Sequence, residues 1–272
     1  MERDPREIES ILKDSTSGLR DKVIRNLGLF TVAFLAISDE PNEQFEMAGT
    51  GTLVELSGKH FILTARHVWE RRLKSADQIG VTRKPEVSHR FPISPRKVVP
   101  LGPPRPEVWD EWGPDIVLLH IMPEYVGDLA AVKSFWNLSR PDVKLEPPRE
   151  VLAVDILMGT PVALGTIIGS HAELQITGIF FSKLETESTR GEFDYRDFDI
   201  DLSQDGPRDF GGVSGGGLWQ VNLYWSSTGE IDWKLIFRGV AFYQFPPVAD
   251  HTVIRCHGVR ALKVVISQAT PR

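Results

Sequence analysis

The chain has 272 residues, with 31 lysines and arginines against 37 acidic residues, a formal net charge of -6 and a single cysteine. This length fits one large or two small domains, and 41% hydrophobic residues are ordinary for a globular protein. The negative charge argues against non-specific nucleic-acid binding, and the single cysteine excludes an intramolecular disulfide, which favours a reducing compartment.

No stretch of the sequence has the composition of a membrane anchor or an export signal. The longest apolar run, 27–37, is about half of the roughly 20 residues that a membrane-spanning helix needs. The first 13 residues carry seven charges of both signs, which is the opposite of a signal peptide. We therefore expect a cytoplasmic protein with neither a membrane nor a nucleic acid as its partner.

Residues 1–26 are predicted to form a helical extension with one break. Asp4 suits a helix N-cap, and Pro5 suits the first helical position. Apolar residues then fall on one helix face until 15–18 (Ser-Thr-Ser-Gly) interrupts the pattern, after which the helical spacing resumes. The segment reads as a short appendage to the domains that follow it.

The next part of the chain, 27–136, has the pattern of a β domain. Alternating apolar residues and β-formers predict strands at 29–37, 49–56, 60–64 and 115–121. Ser57-Gly58-Lys59 predicts a hairpin turn between the second and third of these. The proline-rich stretch 71–110 reads as loops.

A second β domain is predicted over 151–272, after a proline-containing linker at 137–150. Its strands are expected at 151–158, 162–168, 174–181, 198–202, 217–225 and 235–243, followed by a helix at 258–268. Short strands at this rhythm are typical of sandwiches and barrels and not of alternating β and α units. The fold class expected is therefore all-β, in two halves, with helices at both ends.

Three segments carry residue types that suit nucleophilic catalysis. They are Thr64-Ala65-Arg66-His67-Val68, Asp115 at the start of a buried strand, and the glycine-rich run 211–217 around Ser214. A serine hydroxyl becomes a good nucleophile when a base within hydrogen-bond reach takes its proton. Each segment alone also has a structural explanation, as a strand-end histidine, a turn-capping aspartate or a flexible serine turn.

Taken together, these motifs resemble the chymotrypsin/trypsin-like serine proteases. The resemblance rests on the Gly-Thr-Gly at 49–51, the Thr-Ala-x-His ending at His67, the Asp-Ile-Val from Asp115 and the Gly-x-Ser-Gly-Gly around Ser214. They follow one another in the His, Asp, Ser order of that family, and the resemblance covers 29–266. It implies two six-stranded antiparallel β-barrels, preceded by the helical extension and closed by a C-terminal helix.

The same resemblance assigns roles to single residues. His67 would be the general base and then the general acid, and Asp115 would hold the other ring nitrogen of His67. Ser214 would be the nucleophile, and the amides of Gly212 and Ser214 would form the oxyanion hole. The implied activity is serine endopeptidase on a protein or peptide substrate, through an acyl-enzyme and without a metal or organic cofactor.

Val213 departs from the secreted, zymogen-activated members, in which an aspartate precedes the nucleophile and binds a newly freed N-terminal amine. Valine makes no ion pair, and no Ile/Val-Val-Gly-Gly activation sequence precedes Leu29. The chain thus resembles the intracellular or bacterial branches of the family. We hypothesise that N-terminal cleavage does not activate it, and that it is always competent or is gated by its N-terminal helices or by a regulatory partner protein.

Substrate contacts are suggested by position within the family pattern. Arg208, six residues before Ser214, would lie at the floor of the specificity pocket and favour acidic residues. If Asp209 turns in instead, basic residues would be favoured, and both side chains facing solvent is the third possibility. Phe242 and Tyr243 belong to a strand resembling the one that pairs with substrate, although they suit a core or a wall equally well.

Two other functions use the same sequence features. A trypsin-like fold that has lost turnover would serve as a binding or scaffold protein, and an esterase or amidase would use the same triad. The remaining histidines near the C-terminus, His251 and His257 beside Cys256, do not have a zinc-ligand spacing and read as structural.

Overall fold

A computed structural model describes residues 4–38, 44–82, 90–104, 106–108, 110–139, 151–168, 171–181, 184–203 and 207–269. Within these ranges the α-helices are α1 (Pro5–Lys13), α2 (Leu19–Gly28), α3 (Arg66–Val68), α4 (Pro123–Ala130) and α5 (Val259–Ala269). The first strands are β1 (Thr31–Ser38), β2 (Gln44–Leu56), β3 (Lys59–Thr64), β4 (Gln78–Thr82), β5 (Arg90–Ile93), β6 (Val99–Leu101), β7 (Val117–His120) and β8 (Trp136–Asn137). The later strands are β9 (Leu152–Gly159), β10 (Thr166–Ile168), β11 (His171–Glu173), β12 (Thr177–Phe181), β13 (Leu184–Arg190), β14 (Phe193–Asp201), β15 (Gly217–Trp225), β16 (Ile231–Gln244) and β17 (His251–His257).

Two curled sheets dominate the structure, so the expected all-β class is confirmed. The first has the strand order β5-β4-β1-β2-β3-β7-β6, with β8 added parallel to β2. The second has the order β12-β9-β15-β16-β17-β14-β13, with antiparallel pairing throughout. About half of the strands that follow one another in sequence also pair, as expected where tight turns connect antiparallel strands.

Each sheet encloses an apolar core on its concave side, because alternate residues of its strands point inward. In the first sheet this core includes Phe34, Leu53 and Ile79. In the second it includes Leu157 and Phe198. A further core fills the space where the two sheets and the helices meet, and Trp219, fully buried, lies in it.

The N-terminal helices belong to this shared core and are not an appendage. Asp4 caps α1 as predicted, accepting a hydrogen bond from the Arg6 backbone at 2.9 Å. Along the apolar face of the two helices, Ile8, Val23 and Leu27 are fully buried. They pack against strands of the second sheet, since α1 contacts β9 and β15, and α2 contacts β9 and β12.

Lys133 fixes the end of α2 to the first sheet. Its ammonium donates to the carbonyls of Gly28, at the end of α2, and of Thr31, at the start of β1, both at 2.8 Å. The side chain is buried, and this burial lowers the pKa of Lys133 to about 8. Two carbonyl acceptors compensate the lost hydration of the ammonium.

Several elements differ from the sequence-based expectation. The stretch 71–110, expected as loops, contributes β4, β5 and β6, and α4, β13 and β17 were not expected. The strand expected at 162–168 begins as a 3-10 turn and becomes extended only at Thr166. Most of the predicted linker 137–150 lies outside the described residues, so the domain boundaries stay predictions.

Among the helices of the described ranges, none has the length and apolar character needed to cross a bilayer.

Candidate active site

Strand register brings His67 and Asp115 to one edge of the first sheet. β3 and β7 pair antiparallel with Thr64 opposite Val117. In such a pair, the chain leaving one strand and the chain entering the other meet at the same edge. His67 lies in α3, three residues after Thr64, and Asp115 lies two residues before Val117. The two predicted residues therefore meet although they are 48 positions apart.

The Asp115 carboxylate holds His67 through both of its oxygens. Oδ1 accepts the backbone N–H of His67 at 2.8 Å, and Oδ2 lies 2.5 Å from Nδ1 of the ring. The Asp115 side chain is only 7% exposed, whereas that of His67 is 24% exposed. Because Nδ1 faces a carboxylate, the ring proton stays on Nδ1 and leaves Nε2 as the basic nitrogen.

The loop around Ser214 has the backbone shape that its glycines allow. Gly212 has φ +91° and Gly215 has φ +89°, which residues with a Cβ rarely adopt. The amide of Val213 donates to the carbonyl of Phe210 at 3.0 Å. The amides on either side, those of Gly212 and Ser214, have no acceptor among the described residues. Two unused N–H groups on one tight loop are suited to binding an oxyanion.

The same loop docks on the first sheet through Thr50 of β2. The Thr50 amide donates to the carbonyl of Ser214 at 2.9 Å, and its hydroxyl donates to the carbonyl of Gly212 at 2.7 Å. The Thr64 hydroxyl in turn donates to the carbonyl of Thr50 at 2.7 Å. Since Thr64 ends the strand that leads to His67, these bonds tie the Ser214 loop to the edge that carries His67 and Asp115.

Gly49 of β2 allows the turn that carries His67 and the loop that carries Ser214 to approach each other closely. A Cβ on Gly49 would lie 2.7 Å from Cγ2 of Val68 and 3.1 Å from the carbonyl oxygen of Ser214. Val68 directly follows His67, so only glycine fits between the histidine turn and the serine loop. The glycine thereby lets the loop that carries Ser214 pack directly beside the turn that carries His67.

Val213 holds the loop by apolar packing. Its side chain is 2% exposed and lies in the core of the second sheet. It fits closely against Gly159, where a Cβ would be 2.8 Å from the Val213 Cγ1. The residue that precedes Ser214 thus anchors the loop in the core without a charge.

The predicted specificity residues of this loop lie at the surface. Arg208 is exposed. Asp209 is exposed as well, and its Oδ1 accepts the amide of Gly211 at 2.8 Å, which fixes the turn before Gly212. Both side chains therefore face solvent, which is the third of the possibilities considered above. A contact of Arg208 with substrate stays a prediction.

The two aromatic residues predicted to bind substrate differ in placement. Phe242 is 2% exposed and stacks on the ring of His257, with centroids 4.1 Å apart and an interplanar angle of 12°. Its side chain is therefore a core residue and does not line a surface cleft. Tyr243 is half-buried and meets Phe245 edge to face at 5.1 Å.

The C-terminal histidines, both read as structural, occupy different environments. His251 is exposed and lies beside Asp199, with 2.9 Å between Nδ1 and Oδ2. His257 is fully buried, and its Nε2 accepts the backbone N–H of Asp115 at 3.0 Å. Sequence reasoning missed this contact because it joins residues 142 positions apart and leaves no local pattern. Within the described residues, no three His, Cys, Asp or Glu side chains come together as metal ligands would.

We expect the stability of the protein to fall between pH 6.5 and pH 4 because of His257. Burial lowers its pKa from 6.5 to about 4, despite the nearby carboxylates of Asp115 and Asp194. In this window the unfolded chain binds a proton that the folded chain excludes, so acidification favours unfolding, by up to about 3 kcal/mol. Urea unfolding followed across this window measures the effect. His257→Gln, which has no titrating ring, should show a shallower slope, and equal slopes would contradict the assignment.

The comparisons with known proteins leave the family open. No family model matches the chain, and no curated protein matches it. One solved structure, from work entitled "Aromatic interactions drive the coupled folding and binding of the intrinsically disordered Sesbania mosaic virus VPg protein", aligns with a TM-score of 0.41 and 13% identity. The alignment covers 90% of this chain and 98% of that one, and a likeness at this level carries no argument about function.

Proposed function

We propose that the protein is a serine endopeptidase of the chymotrypsin/trypsin-like kind. Its two sheets would correspond to the two β-barrels of that fold, with eight and seven strands in place of six each. The observation that carries the proposal is that the Asp115 carboxylate is hydrogen-bonded to both the backbone N–H and Nδ1 of His67. It lies at the edge where Thr50 anchors the Ser214 loop. A histidine held in one tautomer beside a glycine-rich serine turn is the arrangement that activates a serine hydroxyl.

The proposed reaction proceeds in two halves. Ser214 Oγ attacks the peptide carbonyl while Nε2 of His67 takes the hydroxyl proton, and the carbonyl oxygen becomes an oxyanion near the Gly212 and Ser214 amides. His67 then gives that proton to the departing amine, and the C–N bond breaks to leave an acyl-serine. In the second half, water attacks the acyl carbonyl while Nε2 of His67 takes its proton. The ester bond to Oγ then breaks, His67 returns the proton to Ser214, and the carboxylic acid product leaves. Asp115 stabilises the imidazolium at each stage.

The oxyanion loop is formed without an ion pair in this proposal. Val213 secures it in the core, and Asp209 secures the preceding turn through Gly211. A new N-terminal amine, formed by cleavage near Leu29, would need a carboxylate before Ser214 as its partner. Val213 has no charge and holds the loop by apolar packing, so it offers no such partner. This supports an enzyme that needs no zymogen cleavage.

A fluorophosphonate probe tests the proposal, because it phosphonylates only serines that are activated as nucleophiles. We expect stoichiometric labelling of the wild-type chain and complete loss of labelling in Ser214→Ala. Ser267→Ala, which removes an exposed hydroxyl of α5, should label like the wild type. Identification of new N-termini in a treated peptide mixture then establishes peptide cleavage.

The other outcomes select the competing functions. Labelling at Ser214 with hydrolysis of ester or amide substrates and no cleaved peptide bonds would favour an esterase or amidase. Absence of labelling would overturn the proposed activity and favour a binding or scaffold protein. Labelling that begins only when another protein is added would identify a regulatory partner.

A further inference from the structure

His257 occupies a place in the molecule that its packing alone does not explain. It ends β17 in the second sheet, is fully buried and stacks on Phe242. Its Nδ1 makes no well-formed hydrogen bond among the described residues, and a poorly satisfied buried donor is costly. A phenyl ring would fill the same space without that penalty. What a phenyl ring lacks is an acceptor for the amide of Asp115.

The contact has a defined chemical form. Burial keeps the ring of His257 uncharged at neutral pH, with its pKa near 4. A neutral imidazole that accepts at Nε2 must carry its proton on Nδ1. The ring is therefore an acceptor aimed at the backbone N–H of Asp115, 3.0 Å away, and its stacking on Phe242 fixes the plane of that acceptor.

Asp115 is held from two directions. Its amide is fixed by His257 from the second sheet, and its carboxylate reaches out to two groups of His67. The carboxylate can meet both groups only for a narrow range of main-chain orientations at residue 115. Gly113 leaves room for the histidine, since a Cβ there would lie 3.3 Å from Nε2 of His257.

We propose that His257 is a positioning residue, which orients the Asp115 carboxylate toward His67 by anchoring the Asp115 backbone. The proposal rests on the proposed function for its effect on catalysis, although the anchoring itself is a property of the fold. In this proposal the orientation of Asp115, which precedes β7 of the first sheet, depends on β17 of the second sheet.

Three substitutions separate the acceptor from the packing. His257→Phe keeps the ring and removes the acceptor. His257→Gln places an amide oxygen near the position of Nε2, and His257→Asn places it too far back to reach Asp115. We expect His257→Phe and His257→Asn to lower the rate of fluorophosphonate labelling at Ser214 by about 100-fold, the size of effect that misplacing a catalytic group by about 1 Å produces. His257→Gln should restore most of the rate, and with a peptide substrate the loss should fall on kcat more than on KM.

A second measurement does not depend on turnover. The Nδ1 proton of His67, bonded to a carboxylate, should give a strongly downfield NMR signal. We expect this signal to shift or broaden in His257→Phe and His257→Asn, and to persist in His257→Gln. Thermal unfolding of each variant establishes that it is folded, and the Gln and Asn pair carries the comparison if the Phe variant does not fold.

The two readouts distinguish failure of this inference from failure of the proposed function. If the wild type labels at Ser214 and the Phe and Asn variants label equally fast with the His67 signal unchanged, the positioning role is overturned and the proposed function stands. If the wild type does not label, the proposed function fails. The NMR signal of His67 still tests the anchoring in that case. A signal that is unchanged in His257→Phe and His257→Asn overturns the anchoring. A signal that is lost in these two variants and kept in His257→Gln supports it.

Discussion

Replacing Asp115 with asparagine is expected to lower the rate of Ser214 labelling and of peptide hydrolysis by about 10⁴-fold, the size of effect known for an aspartate in this role. The two oxygens of Asp115 have different partners, the backbone N–H and the Nδ1 of His67. The backbone N–H is always a donor, so the single oxygen of an asparagine must face it. The asparagine NH₂ then faces Nδ1, which has to give up its proton.

That exchange moves the ring proton of His67 to Nε2, where the nitrogen can no longer accept the proton of Ser214. The side chain volume is nearly unchanged, so the fold should be kept, and thermal unfolding verifies this. Asp232→Asn, on the exposed part of β16, is the matched control and should react like the wild type. A loss of less than about tenfold in Asp115→Asn would show that the tautomer of His67 does not limit the reaction.

Replacing Gly215 with alanine is expected to lower the free energy of unfolding by more than about 4 kcal/mol, a loss that single substitutions seldom reach. A Cβ at this position would collide with the carbonyl oxygen of Thr50 and the hydroxyl of Thr64, both buried. The backbone also has φ +89°, which disfavours any residue with a Cβ. The Thr50 carbonyl belongs to the backbone, and the buried Thr64 hydroxyl is held by its hydrogen bond to that carbonyl. We therefore expect the Ser214 loop to leave the first sheet.

Gly191→Ala separates the two causes. Gly191 has φ +60° in the turn between β13 and β14, and a Cβ there would meet nothing within 4 Å. Its replacement should cost only the left-handed backbone, about 1 kcal/mol. Urea unfolding of both variants measures the difference, and similar losses would show that steric contact with Thr50 and Thr64 is not what fixes the loop.

Sequence patterns predicted the elements that have a clear local signal, either a turn between two runs of β-forming residues or apolar residues at helical spacing. The hairpin of β2 and β3 is one case, and the C-terminal helix α5 is another. β13 was missed because its sequence, Leu-Glu-Thr-Glu-Ser-Thr-Arg, has almost no apolar residue, as suits the edge of a sheet. β17 was missed because its buried positions include Arg255 and His257, which read as polar until their partners are known.

The same distinction applies to the candidate site. The motifs around His67, Asp115 and Ser214 are local, and each could be read from a few neighbouring residues. The contacts that support them are not local. Thr50 holds the serine loop across 162 positions, and His257 reaches Asp115 across 142. Such contacts follow from sheet topology, which a single sequence does not specify.

The burial of α1 and α2 has a consequence for the order in which the chain is made. These helices are the first described elements to leave the ribosome, yet β9, β12 and β15, against which they pack, lie beyond residue 150. Until that part of the nascent chain has been synthesised, the strands of the second sheet cannot cover the apolar face that includes Ile8, Val23 and Leu27. The shared core can therefore be completed only after the second half of the protein has been synthesised. Until then, the exposed apolar surface of these helices carries a risk of aggregation.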